Sequence, residues 1–424
     1  MSKIKILVIP PDVHGVGKFR MISPYTFIQD NYGDDFHIDI KFEIQNKDEE
    51  FDGYDIVVFH SFIHKKVELP LNITPEEKRD KAFIENLNRI NWLKNKGVIV
   101  IIDSDDLWEP DPKIPSYFTI MKDGINKKKI EFIKAASYVT VTTPFFRYTM
   151  MKRLGVKNVL VFPNAVDETE AQFIPNPTKS DRIRFGWVGG SSHQYDLELM
   201  SSGIANTHLS YHDKAQFVLC GFDLRGKMTL YNKTTGEKTI RDMKPEETAS
   251  YKYEKIFSND FKLLDKEYVK FLKTYKEEYY DDENKAYRRR WTTEASKYAF
   301  NYNLFDISLA PLIDNIFNNN KSQLKVIEAG FHKKALIASE CSPYTIDLVS
   351  AIDFGGKFNP KGNSLLVSHR KNHKQWSQYM KKLIDNPNLI EDLSNKLHET
   401  VYPKYSLKKV CEERREFLKS IINK

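Results

Sequence analysis

Gly97-Val-Ile-Val-Ile-Ile-Asp103 decides the fold class. Its consecutive β-branched residues leave no polar face, so a strand here is buried on both sides, as in a parallel sheet covered by helices. The flanks agree. A charged amphipathic helix over about Pro75–Lys94 leads in, and a helical pattern over 126–136 leads out to Tyr138-Val-Thr-Val-Thr142. Upstream, Lys5–Pro10 reads as the first strand and Tyr54-Asp-Ile-Val-Val-Phe-His60 as the second. Downstream, a helix around Phe145–Leu154 leads to Asn158-Val-Leu-Val-Phe162. Strands alternating with helices at this spacing predict a doubly wound α/β domain.

A polar segment from Pro163 to Ser180 reads as a linker, and the rhythm then restarts. Ile183-Arg-Phe-Gly-Trp-Val188 is a strand ending in Gly189-Gly190, a helix begins near Asp196, and Gln216-Phe-Val-Leu-Cys220 is the next strand. Leu224–Asp242, turning at Thr234-Thr-Gly-Glu237, predicts an inserted β-hairpin. Glu267–Lys276 and Tyr287–Tyr302 have helical patterns, while Phe305–Ala310 and Ala335–Ala338 are short strands. Leu407–Ile422 is an amphipathic helix expected to return to the first domain. The organisation expected is α/β in both halves, 1–170 and 181–402, with 403–424 crossing back.

The chain has 424 residues, 41% hydrophobic and 13% aromatic, which suits two cores and excludes global disorder. No apolar run approaches the roughly 20 residues that span a bilayer. Met1-Ser-Lys-Ile-Lys-Ile-Leu-Val-Ile-Pro10 is too short in its apolar part for a signal peptide and meets no small-residue cleavage site. The cysteines, Cys220, Cys341 and Cys411, are far apart and lack metal-ligand spacing. Together these features predict a cytoplasmic protein. The net charge of +7 is spread along the chain. It fits either a solvated lysine-rich surface or attraction to an anionic donor, acceptor or membrane.

Ligands of doubly wound sheets bind beyond the carboxyl ends of the strands, so the polar residues there are the functional candidates. His14-Gly15-Val-Gly17-Lys-Phe-Arg20 follows the first strand. Its glycines let backbone N–H groups approach an anion, and basic side chains add charge. It lacks the third glycine of the dinucleotide fingerprint and the Walker lysine pattern, so a plain tight turn is the alternative. His60 ends the second strand, and Asp103-Ser-Asp105-Asp106 ends the third. Those carboxylates suit an Asp-x-Asp metal site, acceptor contacts, or turn capping. Gly189-Gly190-Ser191-Ser-His193 closes the first strand of the second half, and either histidine also fits as an ordinary buried residue.

Asn319-Asn320-Lys321-Ser322-Gln-Leu-Lys325-Val-Ile-Glu328-Ala-Gly330 is the richest stretch. Ser322 is expected to cap a helix whose buried stripe is Leu324, Ile327 and Phe331. That helix start, with Lys321 and Lys325, suits a diphosphate, and Glu328 suits ribose hydroxyls. The alternative is a surface ion pair between Lys325 and Glu328.

The order of these motifs resembles the GT-B glycosyltransferases, and within them the retaining group called family 4, especially members encoded by tailed bacteriophages and some bacteria. Gly15-Val-Gly17-Lys-Phe-Arg20 matches a Gly-x-Gly-x-x-Arg loop, and Ile102-Asp-Ser-Asp-Asp-Leu-Trp108 an Asp-rich strand end. Val141-Thr-Thr-Pro144, Pro163-Asn-Ala-Val-Asp167 and Gly186-Trp-Val-Gly-Gly-Ser-Ser-His193 follow. Leu309-Ala-Pro-Leu312, Phe317-Asn-Asn-Asn-Lys-Ser322 and Lys325-Val-Ile-Glu-Ala-Gly330 complete a match running from about Lys5 to Leu348.

The resemblance implies two Rossmann-like domains facing a cleft, 1–170 on the acceptor side and 181–402 on the donor side. It implies a UDP- or GDP-linked sugar as donor substrate, no cofactor, and no obligatory metal. Donor contacts would come from Gly15, Gly17, Gly189, Gly190, Ser191, His193, Asn320, Lys321, Ser322, Lys325 and Glu328. Asp103, Lys325 and Glu328 would be catalytic, and His14, Arg20, His60, Asp105 and Asp106 would meet the acceptor. Glu328 matches the second Glu of the family's Glu-x7-Glu pattern, but Asn320 replaces the first. The acceptor would be a glycan, a lipid-linked sugar or hydroxymethylated phage DNA, the last in a host cytoplasm. Two rival readings are a degenerate, non-catalytic sugar-nucleotide or glycan-binding module, and a metal-dependent GT-A-type transferase using Asp103 and Asp105.

Overall fold

The computed structural model describes residues 3–13, 15–60, 75–113, 117–122, 124–222, 227–231, 238–258, 279–280, 287–292, 294, 296–353, 355–370 and 372–422. Packing divides the chain into two compact units: Met1–Glu168 with Asn315–Ile327 and Pro403–Lys424, and Thr169–Asp314 with Glu328–Tyr402. Asn315–Ile327, inside the expected 181–402 span, thus packs with the first unit, where Phe317 joins the core.

The first unit is built on six parallel strands: β1 (Ile4–Ile9), β2 (Phe36–Ile40), β3 (Ile56–His60), β4 (Ile99–Asp103), β5 (Tyr138–Val141) and β6 (Val159–Val161). Their spatial order is β2-β1-β3-β4-β5-β6. Successive side chains point to opposite faces, and both faces are covered. Leu7, Ile9, Val57, Phe59, Val100 and Ile102 pack on the helices Pro75–Asn95 and Ile125–Ala135 through Ile90, Leu93, Phe132 and Ile133. On the other face Ile6, Val8, Ile56, Val58 and Ile101 meet Tyr25 and Ile28 of the Ser23–Asn31 helix. Val410, Cys411, Leu418 and Ile421 of the Leu407–Ile422 helix complete that layer. The expected return of the C-terminal helix is therefore real, and burying this apolar stripe explains it.

The second unit contains β7 (Ile183–Gly189), β8 (Ala215–Phe222), β9 (Lys227–Tyr231), β10 (Lys238–Asp242), β11 (Tyr279–Tyr280), β12 (Tyr287–Thr292), β13 (Ile307–Ala310), β14 (Ala335–Ser339) and β15 (Leu365–Val367). Its main sheet runs β11-β12-β8-β7-β13-β14-β15, parallel except for β11. Phe185, Trp187, Phe217, Leu219, Leu309 and Ile337 face a helical layer that includes Leu197, Ile204, Trp376 and Leu383. On the opposite face a Cβ on Gly186 would lie 1.9 Å from the Phe305 ring, so only glycine lets that side chain cover the sheet. β9 and β10 pair antiparallel as the expected hairpin; residues 232–237, between them, lie outside the described residues.

Several expectations are corrected. β2 was not anticipated, because a short edge strand with a half-exposed pattern carries little apolar signal. Tyr287–Thr292 is a strand paired parallel to β8, not part of a helix. Its run of arginines conceals the alternation, since Arg289 is buried against Glu254 at 2.9 Å while Arg288 and Arg290 are half-buried. The 3₁₀ segment Tyr298–Leu304 follows. The helix expected at Glu267–Lys276 lies outside the described residues.

Candidate functional site

In each main sheet the strand order reverses direction at one place, and this opens a crevice beyond the carboxyl ends of the two strands involved. In the first unit those strands are β1 and β3, in the second β7 and β13. Each location gathers residues singled out by the sequence.

At the first-unit location, the loop after β1 turns into a π-helical segment, Gly17–Ile22. A Cβ on Gly17 would lie 1.8 Å from the Asp12 carbonyl oxygen, so glycine is obligatory there, whereas Gly15 is exposed with open space around it. Arg20 turns inward. Only 1% exposed, it donates from Nε (3.0 Å) and Nη2 (2.6 Å) to the Asp103 carboxylate. Its Nη1 donates to the Phe162 carbonyl and lies 3.4 Å from Asn164 Oδ1. Thr140 Oγ1 donates to Asp103 at 2.5 Å. Asn164 Nδ2 in turn donates to Ser322 Oγ at 3.1 Å. Burial alone would raise the Asp103 pKa, but the Arg20 charge and hydrogen bonds outweigh it and hold the carboxyl below its ordinary range.

This geometry gives Arg20 and Asp103 structural partners. Arg20 is a buried strut, held by Asp103 and the Phe162 carbonyl. Asp103 accepts at both oxygens and so positions Arg20. Ser322 stands just ahead of the Leu324–Phe331 helix, where the Gln323 carbonyl accepts from the Val326 and Ile327 N–H groups.

His60 and Asp105 form a pair at 2.8 Å, with side chains 10% and 23% exposed. Burial disfavours charge on His60, yet the Asp105 hydrogen bond and charge, aided by Asp103, raise its pKa above the ordinary value. Asp106 is exposed, and its carbonyl accepts from Ser104 Oγ at 3.2 Å. Because Asp103 is committed to Arg20 and Thr140, it does not join Asp105 as a chelating pair. Among the described residues no group of three or more His, Cys, Asp or Glu is placed to hold a metal. His14 lies outside the described residues.

Asn320 is wholly buried and donates from Nδ2 to the Ile316 carbonyl at 2.6 Å, while its Oδ1 has no partner among the described residues. It closes the short Ile316–Asn319 helix. Lys321 and Lys325 are half-buried, with the Lys321 ammonium 5.0 Å from the Phe317 ring centre.

At the second-unit location, Gly189 and Gly190 are half-exposed and Ser191 is exposed. The Tyr253 hydroxyl defines the turn, accepting from His193 N–H at 2.8 Å and donating to the Gly190 carbonyl at 3.3 Å. His193 Nδ1 lies 2.8 Å from Asp196 Oδ2, and Asp196 Oδ1 accepts the Ile313 N–H at 2.9 Å. Asp196 thereby ties the loop after β7 to the loop after β13. Beside it, a cavity of about 170 Å³ is lined by Leu312, Ile313, Asp314, Ser339, Glu340 and His369 among others.

Glu328 is only 3% exposed, which excludes the surface ion pair with Lys325. The Tyr298 hydroxyl donates to one carboxylate oxygen and the Tyr302 hydroxyl to the other, the latter at 2.8 Å. Burial and the Glu328 charge push both phenols well above their ordinary pKa, so they remain donors. His332 stacks on Tyr302 with ring centres 4.9 Å apart, and burial pushes its pKa down to about 3. Sequence reading missed Tyr298, Tyr302, Tyr253 and Asp196. Only Asp196 had a local signal, three residues after His193 in the first turn of a helix.

No family model matches the chain, and no curated protein resembles it in sequence. Solved structures do resemble it. Anabaena HepE in complex with UDP and glucose superposes with a TM-score of 0.59 at 10% identity, covering 98% of this chain and 100% of that one. The catalytic domain of Arabidopsis thaliana starch synthase IV, bound to ADP and acarbose, gives 0.53 at 9% identity, covering 100% and 99%. S. aureus MnaA with UDP gives 0.50 at 10% identity, covering 100% and 97%. At such identities the likeness is one of architecture, and the architecture shared is the two-sheet α/β fold of GT-B proteins.

Proposed function

We propose that the chain is a glycosyltransferase moving a sugar from a UDP- or GDP-linked donor to an acceptor hydroxyl, with retention at the anomeric carbon and no obligatory metal. The observation that carries this is the Gly189–His193 turn, with its His193–Asp196 pair, at the point where the second sheet reverses order. Structures of the same architecture hold UDP with glucose, UDP-glucose, ADP and UDP. The family resemblance in the motifs supplies the rest.

In this reading Gly189, Gly190, Ser191 and His193 meet the diphosphate. The family resemblance assigns to Lys321 and Lys325 the offsetting of charge on the departing diphosphate. Glu328, held by Tyr298 and Tyr302, accepts from the ribose hydroxyls. The family resemblance implies front-face attack, with the departing phosphate oxygen taking the acceptor proton. Asp103 acts at one remove, by fixing Arg20. The His60–Asp105 pair serves the acceptor, either a glycan or lipid-linked sugar or hydroxymethylated phage DNA in a host cytoplasm. Among the described residues no helix is long and apolar enough to cross a membrane.

Incubating the protein with UDP- and GDP-sugars and measuring nucleotide release, with product configuration read by NMR, tests the proposal. Release that survives excess chelator, with a retained anomer, is expected; inversion or a strict metal requirement would overturn those parts. DNA affinity that falls steeply with salt selects the nucleic-acid acceptor, and negligible DNA binding selects the glycan. The second reading, a non-catalytic sugar-nucleotide module, is favoured by the buried Asn320 where the family has a carboxylate. Tight nucleotide-sugar binding without turnover would establish it.

A further inference from the structure

We infer that Asp196 is a positioning residue for His193, and that the pair forms a phosphate clasp in which the imidazolium Nε2–H donates to the diphosphate of a bound nucleotide. The inference deepens the donor-site reading above and rests on it. Four observations converge. First, His193 follows the Gly189-Gly190 turn at the end of β7, and Ile313 follows β13, so the two loops flank the place where the sheet order reverses. Second, Asp196 is 5% exposed and spends one oxygen on each loop: Oδ2 on His193 Nδ1 and Oδ1 on Ile313 N–H.

Third, the loop is braced independently. Tyr253 bridges the Gly190 carbonyl and the His193 N–H, and Trp187 meets the imidazole edge-on with ring centres 5.9 Å apart. The backbone turn therefore does not depend on Asp196 alone, and the carboxylate's specific effect is on the ring. Fourth, the His193 side chain is 19% exposed against 7% for Asp196, so the imidazole is the wetter member of the pair.

The chemistry follows from the bonding pattern. With Nδ1–H donating to the carboxylate, the tilt of the ring is fixed and Nε2 lies on the edge away from Asp196; to donate there the ring takes a second proton from solvent as the diphosphate arrives and becomes the imidazolium. A phosphate brought to that edge draws positive charge onto the ring, which the Asp196 carboxylate stabilises from behind. Hydrogen bonds between charged groups are shorter and stronger than neutral ones, so the effect should appear in affinity for phosphate and not for the nucleoside.

The test compares the tightest-binding of UDP, GDP and ADP with its own nucleoside, by calorimetry on the full chain. For wild type the nucleotide binds better than the nucleoside by some ratio. His193→Gln and Asp196→Asn are each expected to cut that ratio about tenfold, leaving nucleoside affinity unchanged. Asparagine still accepts the Ile313 N–H, so Asp196→Asn should keep the wild-type melting temperature. The double variant should lose no more than the worse single one, because the two act as one unit. A ratio unchanged in both singles, or parallel losses for nucleotide and nucleoside, would overturn the clasp while leaving the donor reading intact. If none of the three nucleotides binds wild type, the donor reading itself fails.

Discussion

Replacing Glu328 by alanine would leave the Tyr298 and Tyr302 hydroxyls facing a void. A buried polar group stripped of its partner costs about 1–3 kcal/mol, so Glu328→Ala should lose roughly 2–5 kcal/mol in urea unfolding. A Glu328 in a surface ion pair with Lys325 could be removed at little cost; the buried clamp makes its removal expensive. Asp103 behaves similarly. Asp103→Ala strands the Arg20 guanidinium in the core and should cost about 3–5 kcal/mol. Much of that pair's contribution is fully present above the ordinary Asp pKa and is lost as pH falls through the depressed folded value.

His332 gives a pH effect of a different kind. Its folded pKa is about 3, so between there and its ordinary value of 6.5 the unfolded chain takes up a proton that the folded chain refuses. Stability should therefore decrease as pH is lowered through that window, with a slope of at most about 1.4 kcal/mol per pH unit from this residue. His332→Phe, which keeps an aromatic ring beside Tyr302, should flatten the acid limb of a thermal-melt profile. A slope identical to wild type would refute the assignment.

Among the elements, β7 carries the most consequence, since it is the central strand that ends in the Gly189 turn. Gly186 at its middle is flush with the Phe305 ring. Gly186→Ala should cost about 1–3 kcal/mol through overpacking, and should weaken nucleotide binding by displacing the strand end. A stabilised or unchanged variant would show that the Phe305 ring moves aside freely. The Leu407–Ile422 helix was legible as an element because its apolar spacing is regular. β12 was not, because what buries Arg289 is Glu254, a residue 35 positions away, and no local pattern announces that partner.

For the whole molecule, two units with separate cores imply that ligand stabilisation should appear first in the unit that binds. Nucleotide at 100 times its Kd should stabilise its unit by about 2.7 kcal/mol. Hydrogen exchange should slow in Gly189–His193 and Leu309–Asp314 if the second unit holds the nucleotide. Protection gained only in Gly15–Arg20 would place the nucleotide on the first unit instead.

The alternation of apolar runs with amphipathic helices determined, from sequence, two doubly wound sheets, the hairpin and the returning C-terminal helix, because burial of a face imposes a period that local spacing records. The motifs also marked the strand ends where chemistry belongs. Which of those residues turn outward was decided only in three dimensions. Arg20 and Asp103 neutralise each other across 83 positions, Asn320 folds back on its own helix, and Glu328 is claimed by two tyrosines brought from another segment. A charged or amide side chain reads the same in a sequence whether it faces water or a buried partner. The desolvation cost that distinguishes the two exists only once the chain has packed around it.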